Sequence, residues 1–155
     1  MSELYGRLNR SKLIQADPPL SGLTAPRGSK SEMRVALLTA AGVHLQNQKP
    51  FDMLNPQGDS SYRVIPGEVD LADLVITHDY YDHSAADQDV NCVFPIERLR
   101  ELVAAGELGE VAPRHVGFMG HIFGAERRKF VGQSINEIAR IFKTDNVALV
   151  VASPG

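Results

Sequence analysis

Six consecutive residues, Val147-Ala148-Leu149-Val150-Val151-Ala152, carry no polar side chain. A strand with one wet face alternates apolar with polar residues. A short run that is apolar at every position asks for cover on both faces, the setting of a central strand in a parallel sheet. The run follows an amphipathic helix: Val131, Ile135, Ile138 and Phe142 recur at helical spacing over residues 130–143, and Lys143 suits the negative helix end. A strand reached through a helix is how parallel strands are joined.

The same alternation extends upstream. Val35-Ala36-Leu37-Leu38 reads as a buried strand ending in Ala41-Gly42, Tyr62-Arg63-Val64-Ile65 as a second closed by Pro66-Gly67, and Leu74-Val75-Ile76-Thr77 as a third. A helix over residues 95–105 opens on Pro95, carries Ile96, Leu99, Leu102 and Val103 on one side, and stops at Gly106. With a further strand at 114–119, the pattern predicts an α/β fold. It has a mainly parallel open sheet with flanking helices, Rossmann-like or flavodoxin-like, and the strand at 147–152 lies inside it. Residues 1–33, punctuated by Asp17-Pro18-Pro19, Ser21-Gly22 and Ala25-Pro26, read as an extended arm with at most a short helix near 4–13. The α/β domain then spans 34–155. No helix follows the last strand, so the sheet reads as incomplete at its C-terminal side.

Bulk properties narrow the function classes. A net charge of −3 over 155 residues gives no electrostatic case for a nucleic-acid or anionic-membrane partner. No apolar run is long enough for a bilayer, and no apolar leader is visible, so a cytoplasmic location is expected. The single cysteine, Cys92, excludes an internal disulfide and a cysteine-rich metal site. Its apolar neighbours Val93 and Phe94, and the lack of a nearby Lys or Arg, predict a buried, inert thiol. No glycine-rich dinucleotide or P-loop signature is present.

The densest polar cluster is Thr77-His78-Asp79-Tyr80-Tyr81-Asp82-His83-Ser84, placed after a strand, followed by Asp87, Asp89 and Asn91. His78, Asp82 and His83 occupy three of the four positions of the metallo-β-lactamase metal motif, and Tyr80 stands where a histidine is required. Three readings stay open: a metal site, a hydrogen-bonded loop capping the next helix, and the polar wall of an organic-substrate site. His44 follows Gly42 at the end of the first strand, and His121 follows Gly120 after a later one. Each is a candidate site residue or a structural histidine. Arg63, in Asp59-Ser60-Ser61-Tyr62-Arg63, is either a carboxylate fork or part of an Asx-type turn leading into a strand. Nothing in the chain offers a convincing nucleophile.

Five segments occur in order ahead of the closing strand at 147–152: residues 34–44, 59–66, 78–89 with Asn91, Val93-Phe94-Pro95, and Phe118-Met119-Gly120-His121. Together, over about residues 15–155, they make the chain resemble the selenoprotein B family of glycine, sarcosine, betaine and D-proline reductases. The resemblance implies a selenocysteine or cysteine in the loop after that strand, so the nucleophile is expected just after Gly155, encoded by a UGA codon read as stop. It also implies reductive cleavage of a C–N bond in a small amino-acid substrate. The implied partners are a subunit carrying a pyruvoyl group and a thioredoxin-like electron donor. His44, Arg63, His78, His83 and His121 become candidate substrate-binding residues, and the 155-residue chain alone is expected to be inactive. The alternatives are a metal-dependent hydrolase using His78, Asp82 and His83, or a non-catalytic assembly subunit.

Overall fold

Strand β1 (Arg34–Thr39) is the axis of the sheet, because its side chains are buried on both faces. The computed structural model describes residues 28–155; the expected arm, with its short helix near 4–13, falls mostly outside them. After β1 come β2 (Val43–Leu45), β3 (Tyr62–Pro66), β4 (Leu74–Ile76) and α1 (Ser84–Gln88). Then follow α2 (Ile96–Ala104), β5 (Glu110–Val111), β6 (Arg114–Phe118), α3 (Gly124–Lys129), α4 (Ile135–Thr144) and β7 (Leu149–Ser153). A π-helical turn, Phe130–Ser134, joins α3 to α4.

Along one edge β1 pairs in parallel with β5 and then β6, and along the other in parallel with β7 over five residue pairs. β3 adds antiparallel to the outer side of β6. The sheet is therefore mixed but mainly parallel, as the strand–helix alternation predicts. Alternate β1 residues feed two cores. Val35 and Leu37 pack with Phe94, Ile96 and Leu99 on the α2 face. Ala36 packs with Val116, Ile138 and Phe142 on the α4 face.

Both long helices end in the same way. Gly106 (φ +76°) and Asn146 (φ +53°) take the left-handed position after α2 and α4. The amides of residues 106 and 146 bond Val103 and Lys143 carbonyls, and those of 107 and 147 bond Leu102 and Phe142. This is the Schellman arrangement, which satisfies carbonyls the helix leaves unpaired.

Four expectations need correction. β7 is not internal: among the described residues it pairs only with β1, and Val150 and Val151 are exposed. Its apolar side chains demand cover that the described residues do not supply. The third expected strand, β4, is not in the main sheet but forms an antiparallel ribbon with β2, which reads as a loop in the sequence. The second helix begins six residues before position 130, and only Ile138 and Phe142 of its stripe are buried, while Val131 and Ile135 face outward. The π-turn adds a residue and breaks the register between the two helical halves. Cys92 is exposed, because the 3-10 turn Val90–Cys92 sends Val93 and Phe94 inward instead.

Gly42 makes the ribbon possible. Its φ is +74°, and an added Cβ would lie 2.5 Å from the Thr77 carbonyl oxygen and 2.8 Å from His78 Cβ. Gly42→Ala meets both a left-handed backbone and a clash with main chain, so it is expected to lower the unfolding free energy by about 2–4 kcal/mol. Urea denaturation checks this, and a loss below about 0.5 kcal/mol, the range of a neutral surface change, would contradict it.

Candidate functional site

The chain leaves β1 for β5 and β6 on one side with α2 on one face. It then returns past β1 to β7 with α4 on the opposite face. Between β1 and β7, successive connections depart in opposite directions. Such a switch point opens a crevice at the carboxyl ends of parallel strands, where open α/β sheets bind ligands.

The loop after β4 runs to this place. A Cβ built on Gly155 would stand 2.8 Å from Ala41 Cα and 3.2 Å from Tyr81 Cε1, so the end of β7 rests on the β1 turn and the Tyr81 ring. The Tyr81 hydroxyl donates to the Ala41 carbonyl at 3.1 Å. Ser153 Oγ donates to the Val93 carbonyl and anchors the strand end.

His78 is the buried centre of the group. Its ring meets Tyr81 edge-on at 5.0 Å and Tyr80 at 6.1 Å. Nδ1 accepts a long bond, 3.4 Å, from the Tyr80 amide, which assigns the proton of a neutral ring to Nε2. Nε2 points toward Gly120, where an added Cβ would be 3.7 Å away. Burial, then the neighbouring His121, lowers the His78 pKa. A neutral imidazole at this point is a hydrogen-bond donor at Nε2 rather than an acid.

His121 lies flat on Tyr80, ring centroids 3.7 Å apart and 9° from parallel, with Phe123 edge-on to its other side. Burial lowers its pKa, and a hydrogen bond at the Pro56 backbone opposes the shift. His83 sits at the rim, Nδ1 bonded to the Asp87 carboxylate at 2.9 Å, its ring 5.5 Å from Tyr81. His78, His83 and His121 thus join one aromatic chain through Tyr80 and Tyr81. The two tyrosines belong to the same polar cluster in sequence, set between His78 and His83.

The structure places the other two candidates differently. Both His44 nitrogens are taken, Nδ1 with the Leu45 carbonyl and Nε2 with Thr77 Oγ1, each at 2.8 Å, and burial lowers its pKa. Arg63 donates to the Lys49, Pro50 and Tyr62 carbonyls and Ser61 Oγ, and lies 4.3 Å over the Phe51 ring. Its fork clamps the 49–51 turn. Asp59 accepts from the Ser61 amide at 2.7 Å, so this segment is an Asx turn entering β3. His44 and Arg63 brace the loops beside the crevice.

Asp82 accepts from the Ser84 amide and caps the start of α1, which lowers its pKa. It is drawn toward Ser84 and His83 toward Asp87. Among the described residues no group of three or more His, Cys, Asp or Glu side chains could hold a metal ion. A hollow of about 520 Å³ between β4 and α1 touches none of the three histidines. Its lining sets Leu71, Leu74 and Ile76 against Asp87 and Asp89, whose carboxylates bond His83 and Asn91, so the histidine cluster at the strand ends is the better candidate. No helix among the described residues is long and apolar enough to cross a membrane.

A model of the glycine/sarcosine/betaine reductase selenoprotein B family matches residues 21–154. D-proline reductase subunit gamma of Acetoanaerobium sticklandii is 40% identical over 124 residues, covering 80% of this chain and 49% of that protein. The chain thus spans about half the length of the curated relative it matches. No solved structure matches it. With the family model covering residues 21–154, and with them the whole of the described sheet, the chain belongs to the selenoprotein B family of glycine, sarcosine and betaine reductases.

Proposed function

We propose that this chain is part of a selenol- or thiol-dependent reductase that cleaves the C–N bond of glycine, sarcosine, betaine or D-proline. Its reacting site is the crevice between the carboxyl ends of β1 and β7. The observation that carries the reading is the position of Gly155, against Ala41 and the Tyr81 ring, whose other neighbour is the His78 ring. A residue following Gly155 would enter the switch-point crevice on the side of the Tyr81 ring, with the His78 imidazole packed behind that ring.

In this reading a selenocysteine or cysteine after Gly155 supplies the nucleophile, with a neighbouring thiol as its resolving partner. Breaking the C–N bond of an amino acid and replacing it by C–H consumes two electrons and two protons. Those come from the selenol–thiol or dithiol pair, which closes to a selenenyl-sulfide or disulfide and is reopened by a thioredoxin-like donor. A pyruvoyl group on a partner subunit belongs to the same proposal. His78, held neutral, donates from Nε2 to a substrate carboxylate oxygen and so turns the C–N bond toward the nucleophile. Tyr80 and Tyr81 wall the crevice, and the His83–Asp87 pair closes its rim. The described residues are then one wall of the site, and the isolated chain is inactive.

The test uses the complex purified with this subunit at full length, supplied with a dithiol. D-proline is tried first, because the 40% identical relative is named for it. Ring opening of D-proline between Cα and nitrogen leaves 5-aminopentanoate, which chromatography detects. Its formation, or release of ammonia, methylamine or trimethylamine from the other three substrates, supports the reading. No product from any of the four would overturn it.

A further inference from the structure

We infer that the groove between α4 and β7 is the seat of a helix from the polypeptide following β7, and that this helix leads to a strand pairing with the free edge of β7. The groove, about 410 Å³, is almost wholly apolar and runs across the sheet. Phe118 of β6, Leu38 of β1 and Val150 of β7 form its floor, and Ile135, Ile138 and Phe142 of α4 form its wall. Ile135 and Val150, at its mouth, are 44% and 38% exposed.

Handedness selects the occupant. Connections between parallel strands of one sheet are right-handed in about 98% of cases. The β1-to-β6 connection carries α2 on one face, and the β6-to-β7 connection runs the opposite way with α4 on the other, so both have the same hand. A next connection that continues outward past β7 keeps that hand only by crossing on the α4 face. That is the face on which Leu38, Phe118 and Val150 are uncovered. Among the described residues β7 has no partner on its outer edge and the groove no cover, and the two together call for one continuous helix–strand unit. The curated relative, about twice the matched length, has chain enough to provide it. This inference concerns packing alone and holds whatever chemistry follows Gly155.

A photo-crosslinking phenylalanine analogue placed at Ile135 tests it in the full-length subunit within its complex. Ile135 lies outside the proposed reacting site, so reductase activity is expected to persist and to report that the assembly is intact. Illumination followed by peptide mapping is expected to join residue 135 to a segment C-terminal to Gly155 of the same chain. The same analogue at Val150 should capture that segment too. A crosslink to residues 1–27, to another subunit or to a second copy would overturn the proposal, as would no crosslink from either position.

Discussion

Replacing His78 by leucine in the complete enzyme is expected to lower kcat/KM by about a hundredfold, the scale on which a single well-placed hydrogen-bond donor acts in a reacting site. Leucine fills the buried space between Tyr80 and Tyr81 without an N–H, so the subunit should still fold and assemble. His78→Gln keeps an N–H donor near the Nε2 position and is expected to recover most of the lost activity. The comparison separates a donor from a spacer. Equal losses in the two variants, or an unchanged rate in His78→Leu, would remove His78 from the site. Far-UV circular dichroism checks that each variant is folded.

The second large effect is on stability and originates in His115. This residue on β6 is fully buried, and its Nδ1 accepts the Leu37 amide at 2.9 Å. β1 pairs with β5 through Val35 and with β6 from Leu38 onward, and Ala112-Pro113 interrupts the ladder between. The imidazole bonds the Leu37 amide within that gap. Burial, with a smaller contribution from Arg100, lowers its pKa from 6.5 to about 4. The folded-state value lies below that of the unfolded chain, so the contribution is complete above pH 6.5 and is lost as pH falls toward 4. At about 1.36 kcal/mol per pH unit, the unfolding free energy should fall by about 3 kcal/mol over that window. His44, His78 and His121 shift in the same direction and steepen the total. His115→Asn isolates the effect, because the amide oxygen still accepts from Leu37 but does not titrate. Urea denaturation at pH 7 and pH 4.5 should show a smaller acid loss in the variant than in the parent. Parallel losses would contradict the assignment.

How much of this was legible beforehand depended on range. Local signals were sound: the runs at 34–39, 62–65 and 114–119 are strands, and Gly106 ends α2 with a left-handed turn. The strand end read at Ala41-Gly42 is present, and Gly42 there has a positive φ and a close backbone approach. Non-local pairing was harder. Val43-His44-Leu45 carries too few residues to announce a strand, and it becomes one only because β4 lies beside it. Val147–Ala152 reads as central from composition alone, yet composition records how much cover a strand needs and not whether the described residues provide it. The site divided along the same line. His78, His83 and His121 come together because the loop after β4 carries two tyrosines that link their rings. His44 and Arg63 looked equivalent as residue types, but their partners are backbone carbonyls and a threonine hydroxyl, which no spacing rule exposes. Cys92 failed for a related reason: apolar neighbours predict burial of a segment, and a 3-10 turn lets one residue in the segment face outward.

In the proposed reductase the reactive residue follows the end of β7, on the side of the Tyr81 ring. It can be read directly from alkylation of the native protein. The complex is reduced, treated briefly with iodoacetamide at neutral pH and digested with trypsin, and the modified peptides are sequenced by mass spectrometry. The expected product is a peptide starting at Thr144, after cleavage at Lys143, that runs through Gly155 and carries the label on the selenocysteine or cysteine that follows. Prior incubation with substrate should slow this labelling. Rapid labelling of Cys92 alone, with an unmodified or absent reactive residue after Gly155, would contradict the account.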